Sequence, residues 1–299
     1  MNETLLHSRN EVDLPVRFSL VLCSLGRTRE VTRLLESLCD QGDADFEVIL
    51  VDQNEDDRLA RVVNPFRSRL DIRHVRSQPG LSRARNVGLQ LVRGRIVAFP
   101  DDDCWYPRGL LDLVSKQLDH DNQADVICGL AADEEGNSVL KQATRTPVTL
   151  NRYNVWDLAI SFTLFMRVAV THRIGEFDVR LGVGAGTRYG SGEETDYLLR
   201  AMAEGFVVEY RPSLVVHHPV VHGVDGTTSL AKISSYGIGM GFVLNKHCYP
   251  SWFRGWTIMR PLFGAVVALL TGRFGQMRMR LQRAISRAQG IIWSDGRHP

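Results

Sequence analysis

Three short apolar runs in the first third of the chain each stop on a polar residue. Phe18-Ser19-Leu20-Val21-Leu22-Cys23 ends at Ser24, and Phe46-Glu47-Val48-Ile49-Leu50-Val51 ends at Asp52. Ile96-Val97-Ala98-Phe99 passes through Pro100 into Asp101-Asp102-Asp103. Runs of this length bounded by turn residues read as buried strands. Between the first two, Val31, Leu34, Leu35 and Leu38 recur at helical spacing, which predicts an amphipathic helix over residues 28–40. A weaker strand over Asp71–Val75 and a helix over 81–93 complete the order strand, helix, strand, strand, helix, strand. That alternation predicts an α/β sheet with crossover connections, and such sheets gather ligands at the carboxyl ends of their strands. Ser24, Asp52 and Asp101–Asp103 are therefore expected to converge on one crevice.

The acidic triplet sharpens this expectation. Adjacent carboxylates disfavour one another's ionisation, so a fold that places three of them at a strand mouth does so at a cost unless a cation is present. Hard oxygen ligands suit Mg²⁺ or Mn²⁺, which bind through one or two carboxylates together with substrate phosphates. The plainer reading is a solvated turn capping a helix that starts near Pro107. No G-x-G-x-x-G follows the first strand, whose turn reads Cys23-Ser24-Leu25-Gly26-Arg27, and no G-x-x-x-x-G-K-[ST] occurs anywhere. Hydride transfer on a dinucleotide and P-loop chemistry therefore lose their usual signatures. In Gly80-Leu81-Ser82-Arg83-Ala84-Arg85-Asn86-Val87-Gly88, Ser82 is placed to cap a helix whose first turn carries Arg83, Arg85 and Asn86. That arrangement is either a phosphate clamp or a solvated basic face.

Beyond the triplet, residues 108–119 read as a helix, Ala124–Gly129 as a strand, 140–158 as a long connection, and Ile160–Val170 as a source of a central strand. Residues 182–192 are dense in glycine. A second acidic cluster follows in Ser191-Gly192-Glu193-Glu194-Thr195-Asp196. Ser191 and Glu194 fit a capping box, and acids in a first turn suit the helix dipole. Three acids in four positions exceed what a cap needs, and an ionised carboxylate held there can serve as a general base. Val207–Pro219 reads as strand, turn, strand, with His217 and His218 at its end.

Charge divides the chain unevenly. The net +2 combines −7 over residues 1–225 with +9 over residues 226–299. No Asp or Glu lies between Gly226 and Ser294. A basic tail on an acidic body calls for an anionic partner. Residues 261–272 are apolar but only twelve long, between Arg260 and Arg273 and just after Trp252 and Trp256. Met277, Leu281, Ala284, Ile285 and Ala288 then form a stripe with arginines beside it. A basic amphipathic segment with nearby tryptophan suits an anionic membrane surface, here through residues 250–290. The alternative is packing on the body or a homodimer. No continuous apolar run reaches the ~18 residues of a membrane span. Five cysteines without framework spacing imply a reducing compartment. Residues 1–16 are polar and lack a signal-peptide core, so they read as a leader before a catalytic domain at 17–225 and a basic helical extension at 226–299.

Taken together, these segments resemble the inverting glycosyltransferases of family 2 with the GT-A fold, over residues 17 to about 222. The resemblance implies a mixed, mostly parallel sheet flanked by helices. It implies a donor site with Ser24 and Arg27 near the nucleotide base, Asp52 reading that base, and Arg85 and Asn86 in a G-x-S-x-A-R-N segment. Asp101-Asp102-Asp103 matches the family's D-x-D, with Asp103 and Asp101 on Mg²⁺ or Mn²⁺ and Asp102 free for the ribose. His218 corresponds to the late histidine ligand, although adjacent His217 leaves the register open. Gly192-Glu193-Glu194-Thr195-Asp196 matches G-E-D-x-D with Glu where Asp is usual, so Glu194 is the expected catalytic base, alone or with Asp196. The implied reaction moves one sugar from a nucleotide-diphosphate sugar to a glycan or a lipid-pyrophosphate-linked acceptor, in the cytoplasm or at the inner membrane face. No nucleic acid is implicated, and Q-x-x-R-W, the mark of processive synthases, is absent. Two competing classes remain: a sugar-phosphate nucleotidyltransferase, which would release pyrophosphate, and a non-catalytic nucleotide-sugar binding protein, which would bind donor without turnover.

Overall fold

The structure is a computed structural model that describes residues 16–42, 44–120, 123–140, 143–219 and 229–293. Most of the leader and the junction near residue 225 lie outside these. The strands are β1 (Val16–Ser24), β2 (Phe46–Asp52), β3 (Asp71–Arg76), β4 (Gly94–Ala98), β5 (Val126–Ala132), β6 (Val148–Thr149), β7 (Leu164–Arg167) and β8 (Val208–His217). The helices are α1 (Arg29–Cys39), α2 (Arg58–Val63), α3 (Leu81–Leu89), α4 (Leu110–His120), α5 (Val155–Leu158) and α6 (Val168–Ile174). They continue with α7 (Glu193–Ala203), α8 (Leu230–Lys246), α9 (Ser251–Leu270) and α10 (Phe274–Trp293). The described residues form two compact units: one with Ala84–Glu176, Ala201–Pro219 and the chain up to Ser77, the other with Gln78–Arg83, Phe177–Arg200 and the helices from Leu230 on.

The first unit is built on one eight-stranded sheet in the order β3-β2-β1-β4-β7-β5-β8-β6. Strands β1 to β4 pair parallel with one another, as do β5 and β8, while β7 is antiparallel between β4 and β5 and β6 is antiparallel on β8. The expected mixed sheet with flanking helices is thus present. Val31, Leu34, Leu35 and Leu38 of α1 and Leu110, Leu111, Val114 and Leu118 of α4 form one core with Leu20, Leu22, Val48 and Leu50 of the sheet. Hydrophobic burial on that scale is what holds layers of an α/β fold together. Where α3 crosses β1, a Cβ on Gly88 would lie 2.3 Å from the Val21 methyl, so glycine there lets the helix approach the strand.

Two local expectations change. Residues 208–217 form one strand, not two. The Pro212-Ser213 signal is absorbed by an irregularity in which the register steps from Cys128↔Tyr210 to Leu130↔Val215. Proline has no ladder N–H to give, and a bulge accommodates that while keeping the strand continuous. Residues 140–158, expected to be irregular, contribute the short β6 and α5.

The second unit contains α8, α9 and α10 with the loop and helix start at 177–200. α10 packs on both α8 and α9. A Cβ on Gly241 of α8 would stand 2.3 Å from the Arg287 carbonyl, and one on Gly290 of α10 would stand 2.2 Å from the Ile238 carbonyl, so these helices meet backbone to backbone. α9 extends well beyond the twelve-residue apolar run: it is 20 residues long, and by length and composition alone it could cross a membrane.

Candidate functional site

In the first unit the polar strand ends do come together. The chain after β4 continues as a parallel bridge between Asp101 and Cys23, and Trp105 forms an antiparallel bridge with His217 at the end of β8. Trp105 and His217 exchange backbone hydrogen bonds of 3.0 and 3.1 Å, and Cys104 N–H donates to the Asp101 carbonyl at 3.2 Å. The acidic triplet is therefore a tight turn pinned on both sides, which is why three repelling carboxylates keep distinct directions.

Each carboxylate has a different partner. Asp101 faces Arg85, with Arg85 Nη2 3.5 Å from its Oδ1. Asp102 accepts from Ser24 Oγ at 2.7 Å and pairs with Arg27. Asp103 pairs with Arg27 at 2.6 Å through Oδ2 and lies 3.2 Å from His218 Nε2 through Oδ1. Burial pushes the Asp101 carboxyl up to about 6 despite Arg85. Burial also raises Asp102, with Ser24 and Arg27 acting against it. In Asp103 burial acts upward too, but His218 and Arg27 outweigh it and hold the group below its ordinary value. His218 is raised: burial alone would lower it, and the Asp103 contact overcomes that. Asp103 is the member of the triplet kept most firmly anionic.

The two adjacent histidines face different partners. His218 stacks on Phe162 with centroids 5.0 Å apart and faces Asp103. His217 instead meets the Asp133 carbonyl through Nδ1 at 2.7 Å and stacks on Trp105. Asp103 and His218 have the donor types and mutual spacing of neighbouring ligands on one ion, which lie about 3 Å apart when the bonds are ~2.1 Å. Among the described residues no group of three His, Cys, Asp or Glu surrounds a common point. The pair therefore fits an ion that takes its other ligands from phosphate and water, and Asp101, expected on the metal, is turned toward Arg85.

Asp52 is fully buried and already satisfied. Its Oδ1 accepts from Asn54 N–H and Nδ2, both at 2.8 Å, and its Oδ2 meets His74 Nε2 at 2.9 Å. Asn54 Oδ1 in turn accepts from Gly26 N–H at 2.7 Å. The acid expected to read the base thus fixes the loops after β1 and β2 to each other. Asn54 and His74 escaped notice in the sequence because neither sits in a motif; the D-x-N spacing of an Asx turn was the available signal. Arg85 and Asn86 are buried rather than part of a solvated basic face.

In the second unit Ser82 does not cap α3. The helix begins at Leu81, and the Ser82 hydroxyl donates to the Leu181 carbonyl at 2.7 Å. Gly192 precedes α7 with φ +95°, a conformation that favours glycine, and its missing Cβ lies against Val243 of α8. The Ser191 hydroxyl donates to the Tyr236 carbonyl at 3.0 Å. Of the three acids that follow, Glu193 and Asp196 are buried and Glu194 is half-buried. Asp196 is 0% exposed, with Lys246 Nζ at 2.7 Å, His247 Nε2 at 2.8 Å and Arg200 Nε at 3.2 Å. Burial alone would raise it; His247 and Lys246 instead hold it below its ordinary value. Lys246 also reaches Asp178 at 2.9 Å. Asp196, expected to share the base's work, therefore ties α7 to the end of α8. Lys246 and His247 were missed because they lie 50 and 51 positions downstream, and their only sequence signal is a Lys-His pair closing an apolar helix.

A family model described as Glycosyl transferase family 2 matches residues 19–173, just over half of the chain. An uncharacterized glycosyltransferase of Haemophilus influenzae is 34% identical over 90 residues, 30% of each protein. The poly(ribitol-phosphate) beta-N-acetylglucosaminyltransferase TarS of Staphylococcus aureus is 26% identical over 153 residues, covering 48% of this chain and 26% of TarS. The chain thus spans about a quarter to a third of the length of these curated relatives. Among solved structures, S. aureus TarS 1–349 in complex with UDP-GlcNAc matches with a TM-score of 0.59 at 15% identity, over 92% of both chains. A mannosyltransferase of Pyrobaculum calidifontis in complex with GDP-Man and Mn²⁺ matches with a TM-score of 0.63 at 14% identity, over 94% of this chain and 88% of that one.

Proposed function

Since this chain belongs to glycosyl transferase family 2, we propose that it transfers one sugar from a nucleotide-diphosphate sugar to an acceptor hydroxyl, with inversion at the anomeric carbon. The observation that carries this reading is the meeting of Asp103 and His218 at the ends of the acidic turn and β8; the acidic turn lies within residues 19–173, which the family model matches, and His218 lies beyond them. Ser24, Arg27, Arg85 and Asn86 line the donor side, and Asp52 acts through the loops it fixes. Asp103 and His218 would hold a divalent ion, Mn²⁺ suiting an imidazole ligand better than Mg²⁺. Such an ion, when bound, offsets charge developing on the leaving diphosphate. Asp101 and Asp102, held by Arg85, Ser24 and Arg27, orient the turn and the ribose.

Glu194 is the base. It is the one member of its cluster left partly open, while its neighbours are buried. Its carboxylate takes the acceptor's hydroxyl proton as the acceptor oxygen bonds to the anomeric carbon. The bond from that carbon to the diphosphate oxygen breaks in the same displacement, and no sugar–enzyme bond forms. The acceptor is a glycan or lipid-pyrophosphate-linked glycan in polysaccharide assembly, and the basic helical region would keep the enzyme at the inner face of a membrane. TarS, whose name gives poly(ribitol-phosphate) as its acceptor, supports a polymeric acceptor by likeness.

Incubation with UDP-, GDP- and dTDP-sugars, Mn²⁺ and a membrane extract tests the reaction. Release of nucleoside diphosphate together with a glycosylated product is the expected result. Release of pyrophosphate would assign a nucleotidyltransferase instead, and donor binding without either product would leave a sugar-nucleotide sensor.

A further inference from the structure

α9 is apolar on two faces. Thr257, Pro261, Ala265 and Ala268 are buried. Arg280 and Arg287 of α10 donate to the carbonyls of Gly264 and Thr257, at 2.5 and 2.7 Å. On the other side Trp252, Trp256, Met259, Phe263, Val266 and Leu270 are 44–80% exposed. They recur every three or four residues, so they form a single stripe along the whole helix, about 30 Å at 1.5 Å per residue. Exposed apolar surface of this extent marks a contact site.

The charge around the stripe selects its partner. Between Ser229 and Trp293 there are nine Lys and Arg and no Asp or Glu. Arg260 lies about 80° round the helix from the stripe's centre line, and it is exposed, as are Arg273, Arg278 and Arg283. A second copy would bring two such cationic sets together with no carboxylate between them. An anionic lipid surface offers the opposite charge and an apolar layer beneath it, and the two tryptophans suit the boundary between them.

We propose that α9 lies in the plane of an anionic lipid surface, with the stripe from Trp252 to Leu270 immersed and the rim arginines among the headgroups. The helix is long enough to cross, but Arg280 and Arg287 bond its middle from α10, and crossing would carry both guanidiniums into hydrocarbon. The in-plane pose leaves them on the water side. This inference rests on the membrane reading of the helical region and not on sugar transfer.

Flotation of the full chain with phosphatidylcholine vesicles, with and without 30% phosphatidylserine, tests it without any turnover. The chain floats with the anionic vesicles, its bound fraction falls in 1 M salt, and alkaline carbonate releases it. The W256S/F263S double variant changes only exposed positions. It keeps its circular dichroism and melting temperature, and its partitioning drops at least tenfold. If the full chain does not float, both the membrane reading and this inference fall. If it floats and W256S/F263S floats equally well, only the role of α9 falls. Resistance to carbonate would replace the in-plane pose by a spanning helix. A lipid-free dimer that W256S/F263S dissociates would assign the stripe to a second copy.

Discussion

Glu194 and Asp196 sit two residues apart on one helix and are predicted to fail in different ways. Glu194→Gln removes the proton acceptor, so turnover should drop by ~10²–10⁴ while donor affinity, read by calorimetry, stays within about twofold. An equally active variant would remove Glu194 from the role. Asp196→Asn should act on stability. Removing one partner from a buried ion pair costs about 3–5 kcal/mol; Lys246 and Arg200 stay about a quarter exposed and can be resolvated, so the lower end applies, measured by urea unfolding. Asp178 extends the same network. Burial acts upward on it, yet Arg180 and Lys246 hold it well below the carboxylate range. A carboxylate depressed in the folded state stabilises above its unfolded pKa of about 3.9 and loses that contribution as pH falls through the folded value. The urea midpoint of Asp178→Asn should therefore lie below that of the parent protein at neutral pH and change less between about pH 4 and pH 2. At the acidic turn, Asp103→Ala and His218→Ala should each weaken Mn²⁺-dependent donor binding, whereas His217→Ala, which disturbs a carbonyl contact and a ring stack, should mainly lower stability.

Among elements, the pairing of α8 and α10 depends on glycine. A methyl at Gly241 would collide with the Arg287 carbonyl at 2.3 Å, and backbone cannot rotate away as a side chain can. Gly241→Ala should cost about 1–3 kcal/mol through overpacking. Gly255, inside α9 with nothing within 4 Å of its would-be Cβ, makes the contrasting case. There alanine should be neutral or stabilise by up to about 1 kcal/mol, because the helix loses a residue of poor propensity. Thermal unfolding of the two variants side by side checks the pair. β8 makes a different point at the same scale: Pro212 is a genuine turn signal, and it was overridden because pairing with β5 on either side of Gly129 holds more hydrogen bonds than one irregularity forfeits.

For the molecule as a whole, binding of the correct donor should raise stability by mass action. A nucleotide sugar at 100 times its dissociation constant adds about 2.7 kcal/mol, a shift readable in a thermal screen of UDP-, GDP- and dTDP-sugars with Mn²⁺. The shift should require the metal; an equal shift with chelator present would separate donor binding from Asp103 and His218. The charge asymmetry belongs to this scale too. The acid-free helices from α8 to α10 carry the basic excess, while the family match lies entirely within residues 19–173.

Much of this protein was determined by sequence alone. The strands up to β4 and the helices α1 and α3 followed from apolar runs and helical spacing, because those patterns report which faces must leave water; the short α2 between β2 and β3 did not. The residue types of the acidic turn pointed to a cation for the same local reason. What each carboxylate does was decided only by tertiary structure. Ser24 with Arg27, Arg85 and His218 come from three separate segments, and only folding determines which of them reaches which oxygen. Asp52 is a buried tie between two loops, Asp196 joins α7 to the end of α8, and His218 rather than His217 faces Asp103. Asn54 lies two positions from Asp52, within reach of a local pattern, but His74, His247 and His218 lie 22, 51 and 115 positions from their partners, distances that no local pattern encodes.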